Sequence, residues 1–395
     1  MGLTKKTYLK RKNQRHIYES RKRAAKLINK RFIIKKKNRH KEGQQGEAQT
    51  ISYEKIRRQA RRKIFKDYDF NNQQSLPVVI DKTLGIEFGD IDSFIGIGKQ
   101  IVESSANDVR FYLTNCEKLW PSAIMLLCSF LEWRTLAFKY SQKKHKSSTR
   151  PKQGSYGPRN KELADYLCQS GFYDYVHVDY HKPIPINPDE IVKLELNNCR
   201  TVIDKKMQEL EDLITRKAQL TDSEKEAVNC KVIPEIINNA TEHGENCIDQ
   251  SWWTMGQYVP DLHIISICIA DNGIGFKETL CTGPQSDDSI IKDLIEKDAS
   301  ETQFIELAFK DGISGAMDAN NWELSHIHEY LPNGRNRGGG MSGIKDTCKQ
   351  CGIKLSIFSQ SGYIIYDENG NISSKNSFDK RIFGGTFFNL VIPGI

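Results

Sequence analysis

Four short stretches of the chain hold residue types that could do chemistry. In PEIINNATEH (234–243), Glu235, Asn238, Asn239 and Glu242 recur at i, i+3, i+4 and i+7, so a helix would place them on one face. Ile233, Ile236, Ile237 and Ala240 would form the opposite, apolar face. Such a polar face is either one wall of a polar site or the solvated side of an ordinary surface helix. The second stretch is DNGIG, with Asp271, Gly273 and Gly275. Two glycines at that spacing let the backbone turn sharply, and an aspartate fixed at a strand end can accept a hydrogen bond from an exocyclic amine. An ordinary turn carries the same letters. The third is GRNRGGGMSGI (334–344). Glycines before a helix N-terminus free backbone N–H groups to cradle phosphate, with Arg335 and Arg337 adding charge; the bland alternative is a flexible linker. The fourth is Gly384-Gly385-Thr386 at the head of GGTFFNLVIP. Cys348 and Cys351 form a lone CxxC without a second pair or a histidine at metal-ligand spacing, which predicts packing rather than zinc.

These stretches need elements to position them. Thr221 followed by Glu224 is a capping-box start, and Gly244 a plausible stop, so PEIINNATEH sits late in one helix. DLHIISICIADNGIGF is a strand that ends at Asp271, and IKDTCKQCG is a helix after the glycine run. KLSIFSQ, GYIIYD and GGTFFNLVIP close the chain as strands, and VIDKKMQELEDLITRKAQ is a helix upstream.

Taken in order, the four stretches resemble the GHKL ATPase superfamily, which includes gyrase B, MutL, histidine kinases and anti-sigma serine kinases. PEIINNATEH is similar to its asparagine box, DNGIG and RGGGMSGI to its two glycine boxes, and GGTFFNLVIP to its closing strand. The resemblance spans Asp222 to Ile395 and implies a two-layer α/β sandwich over residues 201–395 that binds ATP and Mg2+. It implies that Asn239 binds magnesium and that Asp271 reads the adenine amino group. Gly273 and Gly275 would line the adenine pocket, Gly338, Gly339 and Gly340 would bind phosphate, and Thr386 would back up Asp271. Residues 276–337 would form the ATP lid, occupied in part by SIIKDLIEKD and ETQFIELAFKDG. Met341 and Ser342 depart from the family's second glycine box. Glu235, one turn before Asn239, would point toward the same magnesium and γ-phosphate and could activate a water, as in the hydrolysing branches. Glu242 and His243 fall at the helix end, where a structural role is expected. Walker phosphate-loop and Rossmann patterns are absent. GHKL domains often dimerise around ATP, so a homodimer is a reasonable expectation.

Over residues 75–200, SLPVVID, NDVRFYLTNCEKL and YDYVHVDY read as strands. SFIGIGKQIVESS, SAIMLLCSFLEWRTLAFKY and NKELADYLCQSGFY read as helices. The alternation predicts a small α/β domain, interrupted by the basic loop SQKKHKSSTRPKQGSYGPRN. VRFYLTNCEKLWPSAIMLL resembles a STAS domain, which would offer a protein-partner surface. Ser122 sits where such domains carry a phosphorylatable hydroxyl, but the family's Asp-Ser-Ser-Gly pattern is missing and a helix N-cap role is expected instead.

Residues 1–70 hold 24 Lys or Arg against 6 Asp or Glu, which leaves 34 against 44 in the remainder of this chain of net charge +8. The chain is a basic arm, taken as residues 1–74, on an acidic body. Lys10, Arg11, Lys12, Arg21, Lys22, Arg23, Lys35, Lys36 and Lys37 are its densest cations. With interleaved Tyr and Phe they predict helical segments that bind DNA or RNA through phosphate neutralisation; a solvated tail is the alternative. No apolar run is long enough to cross a membrane and no secretory signal is evident, so a cytoplasmic protein with free thiols is expected. Two functions fit these features. One is an ATP-hydrolysing switch whose basic arm holds nucleic acid, and the other is a serine kinase or partner-switching regulator of the anti-sigma type.

Overall fold

A computed structural model describes residues 72–87, 91–140, 152–176, 178, 190–198, 203–245, 251–282, 289–310 and 340–395. All lie within one compact unit, Arg57–Ile395. The arm cations and Gly338 and Gly339 lie outside them. The fold is mixed α/β, as the alternation predicts.

Strands β1 (Asn72–Val79), β3 (Ala106–Tyr112) and β5 (Lys152–Tyr156) form a parallel sheet in the order β1-β3-β5. A short parallel pair, β2 (Lys82–Leu84) and β4 (Cys116–Leu119), lies beside it. Parallel neighbours need crossover connections, and helices α1 (Ile91–Glu103) and α2 (Pro121–Tyr140) intervene between successive strands of the sheet. Helix α1 buries Ile91, Phe94, Ile95, Ile101 and Val102 at helical spacing. Gly98 completes that stripe, because a Cβ there would fall 2.3 Å from the Phe130 ring of α2. Helix α2 starts on Pro121, which suits a first helical position, and residues 121–131 are buried all round. Its buried Arg134 donates at 2.9 Å to the carbonyls of Ile101 and Ser104, and also to that of Ala106, satisfying acceptors where α1 ends and β3 begins.

Helix α3 (Lys161–Gln169) is capped by Asn160, whose side chain accepts from the N–H groups of Glu162 and Leu163. The strand expected at YDYVHVDY is not formed at its start: Phe172–Tyr175 is a short helix, α4. Gly171, at φ +87°, turns the chain out of α3, and Phe172, Tyr173 and Val176 are buried at the spacing of a helical turn rather than in alternation.

The larger sheet has seven antiparallel strands in the order β11-β10-β9-β12-β8-β7-β6. These are β6 (Ile191–Asn198), β7 (Ser251–Val259), β8 (Ile264–Asp271), β9 (Lys354–Ser359), β10 (Gly362–Tyr366), β11 (Ile372–Ser377) and β12 (Thr386–Pro393). Strand β6 lies in the expected 75–200 segment yet pairs with β7. Strand β8 is covered on both faces: Ile265, Ile267 and Ile269 enter one core, and Cys268 and Ala270 the other. The first core is closed by α5 (Ile203–Lys217), α7 (Ile233–Glu245), α10 (Glu301–Ala308) and α11 (Gly340–Gln350). The opposite face is covered by α2 and its neighbours. Burying both faces explains why β8 reads as a continuous apolar run.

Helix α6 (Asp222–Ala227) opens on a complete Thr221–Glu224 capping box and runs through a π-helical turn, Val228–Val232, into α7. Such turns carry one extra residue. Helices α8 (Gly275–Thr282) and α9 (Ser289–Glu296) follow β8. Phe304, Ile305 and Leu307 of α10 are buried, so this helix, expected within the lid, is part of the core.

A polar cluster joins the two sheets' surroundings. Ser122 is the second residue of α2 rather than its N-cap. The buried Glu87 accepts the Ser122 N–H at 3.0 Å and the Ser122 hydroxyl, while that hydroxyl accepts the Ile86 N–H at 3.0 Å. Glu87 therefore caps the helix from outside it. Ser266 of β8 donates to Glu87 at 2.9 Å, Asn389 of β12 donates to Ser266 at 2.8 Å, and Lys354 donates to the Glu87 carbonyl at 3.1 Å. Burial pushes the Glu87 carboxyl above the ordinary glutamate value, against the pull of these hydrogen bonds. Ser122 has no exposed surface.

The described cysteines are free thiols; Cys348 and Cys351 are buried in packing, and burial raises both. Among the described residues, no helix is long and apolar enough to cross a membrane.

Candidate functional site

Strand β8 ends on Asp271, whose side chain is nearly buried. Its Oδ1 accepts the Gly273 N–H at 2.6 Å and the Thr386 N–H at 3.3 Å, so it holds both its own turn and the start of β12. That approach requires glycine at 385. A Cβ there would stand 2.1 Å from the Asp271 carbonyl oxygen and 2.6 Å from the Gly273 nitrogen. Gly275 begins α8 at φ +77°, and a Cβ on it would meet Gln360 Cγ at 2.2 Å. The sharp turn expected of DNGIG is thus enforced from two sides.

Helix α7 brings Asn239 to the same place. Its apolar stripe, Ile233, Ile236, Ile237 and Ala240, is buried, and Asn239 is half-buried beside it. Asn239, Asp271, Gly273, Gly275 and Thr386 line one recess together with Ile274, Phe276 and Thr279. Its empty volume is about 240 Å3, part of it open to solvent. The enclosed part is small and the mouth is open, so the recess admits the edge of a ligand rather than the whole of one. Ile274 and Phe276 offer apolar surface, and Asp271 brings a carboxylate acceptor. A planar heterocycle with an exocyclic amine matches that combination.

Sequence reasoning missed the residues that hold this wall in place. Glu301 of α10 is buried; its Oε1 accepts the N–H groups of Phe276 at 3.0 Å and Lys277 at 3.3 Å and the Ser359 hydroxyl at 2.6 Å. It satisfies the donors at the start of α8, where a carboxylate is favoured by the helix dipole. Burial raises its carboxyl, while Ser359 and the backbone donors lower it. Arg381 donates to Gln360 at 3.1 Å and pairs with Glu278 at 3.5 Å. The sequence offers ETQFIELAFKDG as a helix, behind a Ser300–Gln303 capping box, and neither points to Phe276.

Glu235 lies one turn before Asn239 on α7 but does not line the recess; its side chain is exposed. Surrounding protein still costs its ionised form some hydration and raises the carboxyl above the ordinary value. Gly340 opens α11, which packs on the π turn and on α7. Gly338, Gly339 and the arm cations are outside the described residues, as are the side chains of Glu242 and His243.

Among the described residues, no three His, Cys, Asp or Glu side chains are placed to hold a metal. The Asn239 carboxamide is a suitable single oxygen donor at the recess. The chain matches no protein-family model, and no curated protein or solved structure matches it.

Proposed function

We propose that the chain binds ATP with Mg2+ at this recess and acts as an ATP-hydrolysing conformational switch, with nucleic acid held by the basic arm. The observation that supports it is the convergence of Asn239, Asp271, Gly273, Gly275 and Thr386, from three distant stretches of sequence, on one small recess. In this reading Asp271 accepts the hydrogen bond of the adenine amino group, and Ile274 and Phe276 pack against the ring. Asn239 supplies an oxygen to magnesium, which neutralises phosphate charge when bound. Glu235, outside the ring pocket and on the solvent side of the same helix, orients and deprotonates a water, and its raised carboxyl suits a base working nearer neutrality.

The test is to incubate the full chain with γ-labelled ATP, with and without DNA or RNA, and follow the label. Free phosphate that falls about 100-fold or more in Glu235→Gln while ATP binding persists is the expected result. Activity should rise with pH through the raised Glu235 value, because only the carboxylate can accept the proton, and the variant should lose that acid limb. Label on serine instead would establish the kinase alternative. Full hydrolysis in the variant would remove Glu235 from the mechanism.

A further inference from the structure

Away from the recess, the described residues leave part of one face of the parallel sheet exposed. Along β1, Val78 is buried and Val79 is 57% exposed; along β3, Phe111 is buried and Tyr112 is 37% exposed. Tyr156, at the end of β5, is 53% exposed. Register places Val79 beside Tyr112 and Tyr112 beside Tyr156, so the three form one row across the ends of the strands. The two tyrosine rings stack, with centroids 4.6 Å apart and planes 26° from parallel. The pair keeps part of its ring surface in water, Tyr156 more than Tyr112, an unfavourable arrangement for rings that could have packed inward.

The next pair of this face is equally specific. Arg110 sits beside Gly154 of β5, and a Cβ on that glycine would fall 2.2 Å from Arg110 Nη1 and 3.1 Å from its Cζ. The guanidinium therefore lies down over the strand where any other residue would displace it, steadied by Nε donating to Asp108 at 2.7 Å. Lys152, exposed, stands at the start of the same strand. Two rings, a flat guanidinium and an ammonium thus share that exposed part of the sheet.

We propose that this face is a stacking platform for the unpaired bases of a single-stranded nucleic acid, distinct from the nucleotide recess and from the arm. Unpaired bases stack on aromatic rings and on arginine planes, and every base has a π-face to offer. Arg110 and Lys152, set against the Asp108 carboxylate that pairs with Arg110, leave the face one net positive charge for the phosphates such a strand brings with it. A duplex keeps its bases stacked inside and cannot extend the ring column. An apolar protein partner would gain little beyond Val79 and would have to cover Arg110 and Lys152.

The test uses the full chain and a uridine oligonucleotide carrying 5-iodouracil. Ultraviolet cross-links are expected on Tyr112 or Tyr156. In parallel, anisotropy titrations over a salt series compare Tyr112→Ala/Tyr156→Ala with Tyr112→Phe/Tyr156→Phe. The alanine pair should weaken single-strand binding by about 5-fold to about 150-fold and the phenylalanine pair by no more than about 2-fold, since phenylalanine keeps the stacking surface. The salt slope should stay that of the parent, because the rings release no counterions. A duplex of equal length should bind no differently to parent and variants. Both tyrosines are exposed, and a circular-dichroism melt checks that each variant remains folded. Cross-links only elsewhere, equal affinity of parent and alanine pair, equal losses in the alanine and phenylalanine pairs, or no binding of the strand would each overturn the proposal. Equal affinity of parent and alanine pair, with cross-links only elsewhere, is the result expected if the face seats a protein.

Discussion

Asp271 and Glu87 are both almost buried carboxylates that accept backbone N–H groups, but one borders a recess and the other is sealed inside the core. Asp271 takes the Gly273 and Thr386 N–H groups and borders the recess that it shares with Asn239, Ile274 and Thr279. Glu87 takes the Ser122 N–H and two hydroxyls, and the apolar residues of α2 and β8 fill the surroundings. The acceptor chemistry is shared. What the neighbours leave empty decides whether a carboxylate reads a ligand or ties elements together. Glu87 does the latter, joining the loop after β2, the first turn of α2 and the two central strands.

Substitutions can break this contrast. The largest effect is expected from Glu87→Ala, which strands the Ser122 N–H and the hydroxyls of Ser122 and Ser266 and opens a cavity. Urea unfolding should show a loss of about 4 kcal/mol, with ATP affinity of the folded fraction unchanged. A loss of ATP affinity without a loss of stability would show that the two carboxylates are not divided in this way. Asp271→Asn should do the reverse. Its carboxamide can still accept the two N–H groups, so the melting temperature should move little, while calorimetry should show ATP binding weakened by about 2 kcal/mol, roughly 30-fold. The smallest effect is a slope. Because the folded state raises the Glu87 carboxyl, its stabilising contribution is complete below the ordinary glutamate value and declines as pH rises through the raised one. Stability measured against pH should show that decline in the parent and not in Glu87→Gln.

Local patterns carried much of this into the sequence. Ile236 and Ile237 are buried and Glu235 and Asn238 exposed on α7 as the 3.6-residue period required, and Thr221 and Glu224 form both bonds of their box. Asp271 and Gly275 were legible because a strand end and a positive φ leave strong composition marks. Pairings between distant segments left no such mark. Nothing in the spacing of IVKLELNN tells β6 to choose β7 over its own neighbours. Glu301 reads as an ordinary first-turn acid of α10, and its service to α8, 25 residues earlier, exists only in three dimensions. Glu87 likewise sits in a loop whose text offers no reason for burial. Ser122 misled in the same way: a hydroxyl near a helix start suggests a cap, whereas the cap comes from another segment.

The π-helical turn at Val228–Val232 gives the C-terminal half an unusual tolerance written into its backbone. An ordinary helix shortened by one residue swings everything beyond the cut by about 100° and 1.5 Å. Here a one-residue deletion can be absorbed by tightening five-residue hydrogen bonding to four, leaving Asn239 and the recess where they are and passing the adjustment to the exposed residues of α6. In evolutionary terms, this rod can lose a residue upstream of Asn239 without moving the wall of the recess.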